Sequence, residues 1–348
     1  MTKQKTFNRK PYAGNPSVQS VEGKSSSAAK TERGAQLRKD AEEMRGMFIN
    51  LGKNMVSDVR MSEWSLEKQL NFCEVFNDEV WWRITEHMAK RGFNTVVLDL
   101  CEGCVYPSHP YLAAKGAWSA DKIRKELVRL RNMGLEPIPK LNFSTTHDAW
   151  LKEYGRMVST AEYYKVCSDL IRDVCDMFDG PRLFHLGYDE ENYPNQRTWA
   201  CCVIRQGDLW WHDFFFFVDA VEKLGMRPWI WSDYIWGHEN EFLAKMPKSV
   251  MQSNWYYRQW FDLSTIPKGR RVHLESFLTL EKAGFEQIPC GSNWACDENI
   301  AGLVKFCRKH IAPERLKGFL MTTWAATTPD NEAKIMRGID LAADSWKS

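Results

Sequence analysis

Two adjacent carboxylates closing a short apolar run are the residues of this chain best suited to chemistry: Phe184-His185-Leu186-Gly187-Tyr188-Asp189-Glu190-Glu191. A strand starting near Arg182 puts Phe184 and Leu186 on one face and His185, Gly187 and Asp189 on the other, because successive side chains alternate. Glu190 then falls just past the strand end. In a parallel barrel that position holds reactive groups, and a carboxylic acid there suits the general acid that breaks a glycosidic bond. The competing assignment is a helix N-terminus, where acids in the first turn satisfy free N–H groups and the macrodipole. On this segment alone the two stand level.

The elements around it favour a barrel. Strand-like runs fall at 47–51, 95–100, 136–142, 182–187, 227–232, 249–254, 287–292 and 318–323, separated by helix-like stretches at 78–91, 120–133, 161–178, 208–224, 239–245, 273–283, 297–310 and 331–346. Gly92, Gly134, Gly225 and Gly284 sit just past helix ends, as C-terminal caps should. Eight alternating units predict an α/β fold, a (β/α)8 TIM barrel over residues 46–346. A doubly wound sheet would be expected to carry a G-x-G-x-x-G or Walker sequence, which is missing here. Residues 1–40 are rich in Lys, Ser, Gly and Gln with few large apolar groups, so a disordered solvated tail is expected there.

The predicted strand ends gather polar groups and flat aromatics. Asn54 and Asp58 follow strand one; Asp99, Glu102, Tyr106 and His109 follow strand two; Lys140, Asn142 and His147 follow strand three. Trp231 and Asp233 end strand five, Gln252, Asn254, Trp255 and Tyr256 strand six, Asn293 and Trp294 strand seven, Thr323 and Trp324 strand eight. A sugar needs donors and acceptors for its hydroxyls and a ring face for its C–H surface. Of the 16 tryptophans, Trp231, Trp255, Trp294 and Trp324 are candidates for that contact. Trp81, Trp82, Trp210, Trp211 and the run Phe214 to Phe217 read as helix faces packed on the barrel.

Bulk composition narrows the partners. With 47 Lys plus Arg against 45 Asp plus Glu over 348 residues, the formal net charge of +2 gives no general drive toward nucleic acid or an anionic membrane. No apolar run approaches the roughly 20 residues of a membrane span, and the N-terminus shows no signal-peptide core, so a cytoplasmic location is expected for the chain as written. The 10 cysteines lack the spacing of a disulfide scaffold and are expected to be mostly buried thiols in a reducing compartment. Cys101 and Cys104 form a C-x-x-C without a second pair, and His109, His147 and His185 show no close-spaced ligand motif; no metal or cofactor is expected.

Several of these stretches together resemble the family 20 glycoside hydrolases, the β-N-acetylhexosaminidases. The similarity runs over roughly residues 94–234: His109-Pro110-Tyr111-Leu112, Gly116-Ala117-Trp118-Ser119, Pro137-Ile138-Pro139-Lys140-Leu141-Asn142 leading to His147, and His185-Leu186-Gly187-Tyr188-Asp189-Glu190, with a weaker echo at Trp324. The resemblance implies Glu190 as general acid, Asp189 holding the substrate's 2-acetamido group, His147 supporting the acid, and Trp231 and Trp324 lining the sugar pocket. It also implies a carbohydrate substrate and an acetamido oxygen that replaces the enzyme nucleophile, an exception to the paired-carboxylate rule.

The chain departs from the family pattern in places. Tyr188 replaces a motif glycine, which is expected to reshape the site. No arginine follows strand one, though Arg60 is within reach in sequence. Lys140 and Asn142 stand where the family has acids, and Tyr256 is the nearest candidate for the acetamide-capping tyrosine. Two alternatives therefore accompany the hexosaminidase expectation. One is a two-carboxylate glycosidase with Asp233, Asp99 or Glu102 as nucleophile or base; the other is a non-catalytic sugar-binding barrel.

Overall fold

The computed structural model of the protein describes residues 43–52, 76–197 and 202–347. The expected tail and the expected positions of Asn54, Asp58 and Arg60 lie outside the described residues. Eight strands, β1 (Met44–Asn50), β2 (Thr95–Asp99), β3 (Glu136–Lys140), β4 (Leu183–His185), β5 (Arg227–Trp231), β6 (Met251–Ser253), β7 (Cys290–Ser292) and β8 (Gly318–Thr322), form one parallel sheet. The main helix following each is α1 (Asp78–Lys90), α2 (Ala120–Asn132), α3 (Ala161–Met177), α4 (Asp208–Glu222), α5 (Ile235–Lys245), α6 (Lys268–Lys282), α7 (Asn299–His310) and α8 (Pro329–Ser345). β1 pairs with both β2 and β8. The ring closes between β6 and β7 through parallel bridges Gln252–Gln287 and Trp255–Cys290, with Ile288 N–H donating to Gln252 O (2.9 Å) and Cys290 N–H to Asn254 O (3.0 Å). This is the (β/α)8 barrel the alternation predicts.

Local chemistry fixes the element ends. Asn77, Ser119 and Thr160 cap α1, α2 and α3 by accepting N–H bonds from Val80, Lys122 and Tyr163. The four expected cap glycines all take left-handed backbone, φ 78° to 83°. β4 is shorter than the expected 182–187 because the chain turns left-handed at Gly187 (φ 73°) and Tyr188 (φ 71°). β7 loses its first half because Pro289 has no N–H for the ladder. α5 and α6 start earlier than the expected 239 and 273; α5 does so across a kink at His238 (φ −137°) and α6 directly behind Pro267.

Alternation along the strands separates two apolar layers. Phe184 and Leu186 face the helices with Trp81, Trp210 and Phe214, whereas Phe48, Val97, Ile138, Leu183, Trp229 and Leu320 fill the barrel interior. Trp82 corrects the expectation of a packed helix face: it is 41% exposed, with its indole N–H on Glu126. Above the interior apolar layer the strand register aligns the polar side chains of Asn50, Asp99, Lys140 and His185. No helix among the described residues is long and apolar enough to cross a membrane.

Candidate active site

The aligned polar level forms the floor of the site. Lys140 Nζ donates to Asp99 Oδ2 at 2.8 Å, with both side chains essentially inaccessible to solvent, and Cys101 Sγ lies 3.0 Å from Asp99 Oδ1. Asp99 is thereby committed to a buried ion pair. His185 Nδ1 accepts the Gly187 N–H at 3.0 Å, which leaves the ring proton on Nε2. Burial, and then the charge of Lys140, hold His185 well below the usual histidine range, so it is neutral.

Asp189 and Glu190 sit just beyond β4 on a backbone that few sequences adopt. Gly187, Tyr188 and Glu190 all have positive φ, 73°, 71° and 57°. A Cβ on Gly187 would fall 2.1 Å from Asn142 Oδ1, so this position needs glycine for space as well as for conformation. Non-glycine residues held this way cost about 1–3 kcal/mol each and persist only where their surroundings over-determine them. Here the surroundings do. Thr146 Oγ1 donates to Glu190 O (2.7 Å), the Glu190 N–H donates to Asp233 Oδ2 (2.8 Å), and the Trp231 N–H donates to Gly187 O (3.0 Å). Asn142 Nδ2 donates to Asp189 Oδ1 at 2.9 Å, its orientation fixed by the Ser144 N–H on Asn142 Oδ1. His147 Nε2 faces both acids, 3.4 Å from Asp189 Oδ2 and 3.5 Å from Glu190 Oε2. Glu190 is the more open of the two, its side chain 35% exposed against 6% for Asp189.

These acids do not cap a helix. The short helical turn Tyr193–Gln196 is capped by Asn192, and its first turn holds no acid. Of the two assignments open at the start, the strand-end one matches the fold.

Asp233 is a third carboxyl at the same place. Besides the Glu190 amide it faces the Trp255 indole N–H, 3.4 Å from Oδ1. Burial, and then the charge of Asp189, push it up to about 8. Behind the acids lies a buried cationic centre that sequence reasoning missed. Arg205 and Glu191 form a two-point pair (2.6 and 2.9 Å), and Arg205 also reaches Tyr188 Oη, Phe143 O and Asp213. Burial opposes the charge on Arg205, but Glu191 and Tyr188 outweigh it and hold the guanidinium well above its ordinary value.

Aromatic rings wall one side. Trp231 packs 4.5 Å from His185 and 6.0 Å from both Phe48 and Trp324, while Trp255 stacks on Tyr257 at 5.0 Å and Tyr257 meets Trp324 at 6.3 Å. Three expected site residues lie elsewhere. Tyr256 donates its hydroxyl to Trp260 O (2.6 Å), so Tyr257, one residue on, is the tyrosine among these rings. Trp294 is 57% exposed. Tyr188 turns away from this cluster, its ring against Trp210, Phe214 and Phe217 and its hydroxyl on Arg205. Asn254 is satisfied internally, accepting from Trp236 Nε1 (3.0 Å) and donating to His273 O (2.8 Å). Cys101 and Cys104 face different partners, Asp99 and Met177, and the three histidines do as well: His109 pairs with Asp169, His147 faces Asp189 and Glu190, and His185 accepts the Gly187 N–H. No cluster of three or more His, Cys, Asp or Glu suited to a metal ion occurs among the described residues.

No family model matches the chain, and no curated protein matches it. Solved structures do. A β-N-acetylhexosaminidase from Bacteroides fragilis aligns over 86% of this chain at 12% identity and TM-score 0.57. An exo β-N-acetylglucosaminidase from Vibrio harveyi, solved with N-acetylglucosamine, aligns over 86% at 14% identity and TM-score 0.57, and a Flavobacterium johnsoniae chitobiase over 86% at 16% and 0.61. The barrel has the fold of the family 20 glycoside hydrolases. This chain spans 65%, 54% and 47% of the lengths of those three proteins. Tyr188 takes a left-handed backbone (φ 71°), and its phenol packs behind the acids against Trp210, Phe214 and Phe217.

Proposed function

We propose that this chain is a glycoside hydrolase that removes terminal β-linked N-acetylhexosamine with retention, using the substrate's own acetamide as nucleophile. The observation that carries this reading is His147 Nε2 facing Asp189 and Glu190 together at 3.4 and 3.5 Å, at the strand ends that also carry Trp231 and Trp324. In this reading Asp189 accepts the acetamide N–H and aims the carbonyl oxygen at the anomeric carbon. Glu190, the more exposed acid, gives its proton to the leaving oxygen as that C–O bond breaks. The bicyclic oxazolinium ion then collapses when Glu190, now a carboxylate, takes a proton from the water that attacks the anomeric carbon. Trp324, the more accessible indole, stacks on the sugar with the buried Trp231 backing it, and Tyr257 caps the acetamide. The carbohydrate is the only partner this reading requires.

The test is hydrolysis of nitrophenyl glycosides, GlcNAc and GalNAc beside their non-acetylated counterparts. Glu190→Gln is expected to lower kcat by ~10²–10⁴-fold, and Asp189→Asn to impair the acetamido substrates selectively. Near-normal turnover in both variants ends the proposal.

A second reading has Asp233 act with Glu190 as a pair of enzyme carboxylates, motivated by the 2.8 Å contact between Asp233 Oδ2 and the Glu190 amide. A carboxyl whose proton is held up to about 8 is a poor nucleophile near neutrality, which weighs against it. A thiazoline mimic of the oxazolinium should inhibit strongly under the first reading, whereas a fluorosugar should trap a glycosyl-enzyme under the second. Calorimetric binding without turnover on any glycoside would leave a sugar-binding barrel.

A further inference from the structure

We propose that Arg205 is the positioning residue for the Asp189–Glu190 pair, acting through Tyr188 and Glu191 on either side of it. The inference rests on the proposed roles of those two acids. Both stand on a segment with left-handed backbone at Tyr188 and Glu190, beyond the regular ladder of β4. Such a segment keeps one geometry only if something external fixes it. Arg205 does this from behind. Its Nε and Nη2 meet Glu191 at 2.9 and 2.6 Å; Nη2 also donates to Phe143 O at 2.8 Å; Nη1 donates to Tyr188 Oη at 2.9 Å and to Asp213 Oδ2 at 3.3 Å.

Every N–H of the guanidinium is therefore used, and the side chains of Arg205 and Glu191 are only 1% and 2% exposed. The fork also fixes the β3 loop that carries His147, directly at Phe143 and through Glu191 Oε2, which accepts the Thr145 N–H at 3.2 Å. Both acids and the imidazole facing them are thus referenced to one rigid planar group. A lysine has neither the fork nor the reach to five acceptors. Arg205 sits among Tyr188, Phe143 and Asp213 rather than among the sugar-facing rings, so its contribution is geometric.

The experiment measures nitrophenyl N-acetylglucosaminide hydrolysis by Arg205→Ala and Arg205→Lys, with added methylguanidinium, below the unfolding temperature of each. Displacement of reacting groups by ~1 Å can cost ~10²-fold, so Arg205→Ala should lose about that factor in kcat with KM nearly unchanged. Methylguanidinium should restore part of the loss, and Arg205→Lys should not. A folded Arg205→Ala with wild-type kcat, or one that methylguanidinium leaves unimproved, overturns the inference. Should Arg205→Ala fail to fold, the charge-neutral double variant Arg205→Gln with Glu191→Gln takes its place in the same comparison. If the wild-type chain hydrolyses nothing, the hexosaminidase reading fails by itself. Hydrogen exchange at 187–191 then decides for Arg205: faster exchange in the variant, with α1 unchanged, supports the positioning role, and unchanged exchange rejects it.

Discussion

Asp233 shows how a single side chain makes the molecule respond to pH. Its carboxyl binds its proton more tightly in the folded chain than in the unfolded one, chiefly through burial and then through Asp189. Such a group favours folding in acid: its contribution is complete below the ordinary carboxylate value near ~4 and disappears as pH climbs through about 8. Asp233→Asn should flatten the fall in stability over that window by up to a few kcal/mol, read from urea titrations at successive pH values. Parallel slopes for the variant and the parent would contradict it. The residues at this scale were unevenly legible. Asp189, Glu190 and His147 stand out because their types and spacing are unusual for a packed strand end. Arg205 does not, since it lies in a connection with neither period-two nor helical patterning and its partners at 143, 188, 191 and 213 meet only on folding. Tyr257, and not the expected Tyr256, joins the ring cluster because the chain leaves β6 at Ser253, and the parity of side chains cannot be carried past the strand.

At the level of the element, the turn out of β4 trades backbone comfort for packing. Tyr188 takes a conformation that suits glycine, yet its ring is 2% exposed among Trp210, Phe214 and Phe217. Losing a buried aromatic ring costs about 3–5 kcal/mol, while relief of the left-handed backbone returns about 1–3. Tyr188→Gly should therefore lower stability by ~2–3 kcal/mol in spite of matching the motif, a loss visible as a lower Tm. A variant that melts at or above the parent would show that the ring contributes little. The strands and helices themselves were legible because alternation, caps and closing glycines agree along the chain. Their lengths were not: Pro289 removes a ladder donor from β7, and Gly187 with Tyr188 ends β4 early, both for backbone reasons that hydrophobic patterning does not register.

For the barrel as a whole, the polar level spanning Asn50, Asp99, Lys140 and His185 is the interior's exposure to risk. Lys140→Met leaves the Asp99 charge buried and unpaired, and should cost about 3–5 kcal/mol. Adding Asp99→Leu should recover most of that, so the strong coupling would appear in a double-mutant cycle followed by urea unfolding. Additive losses would mean that the pair is less enclosed than its accessibility indicates. The register that creates this level was implicit in the strand pattern, because aligned strand ends bring Asp99 beside Lys140. The indoles of Trp231 and Trp324, 6.0 Å apart among the strand-end rings, have a separate consequence. Near-ultraviolet absorption of an indole shifts with the polarity around it, so a saccharide settling there would announce itself optically. Under the proposed function, the fold would thus carry an unlabelled gauge of occupancy that does not depend on turnover.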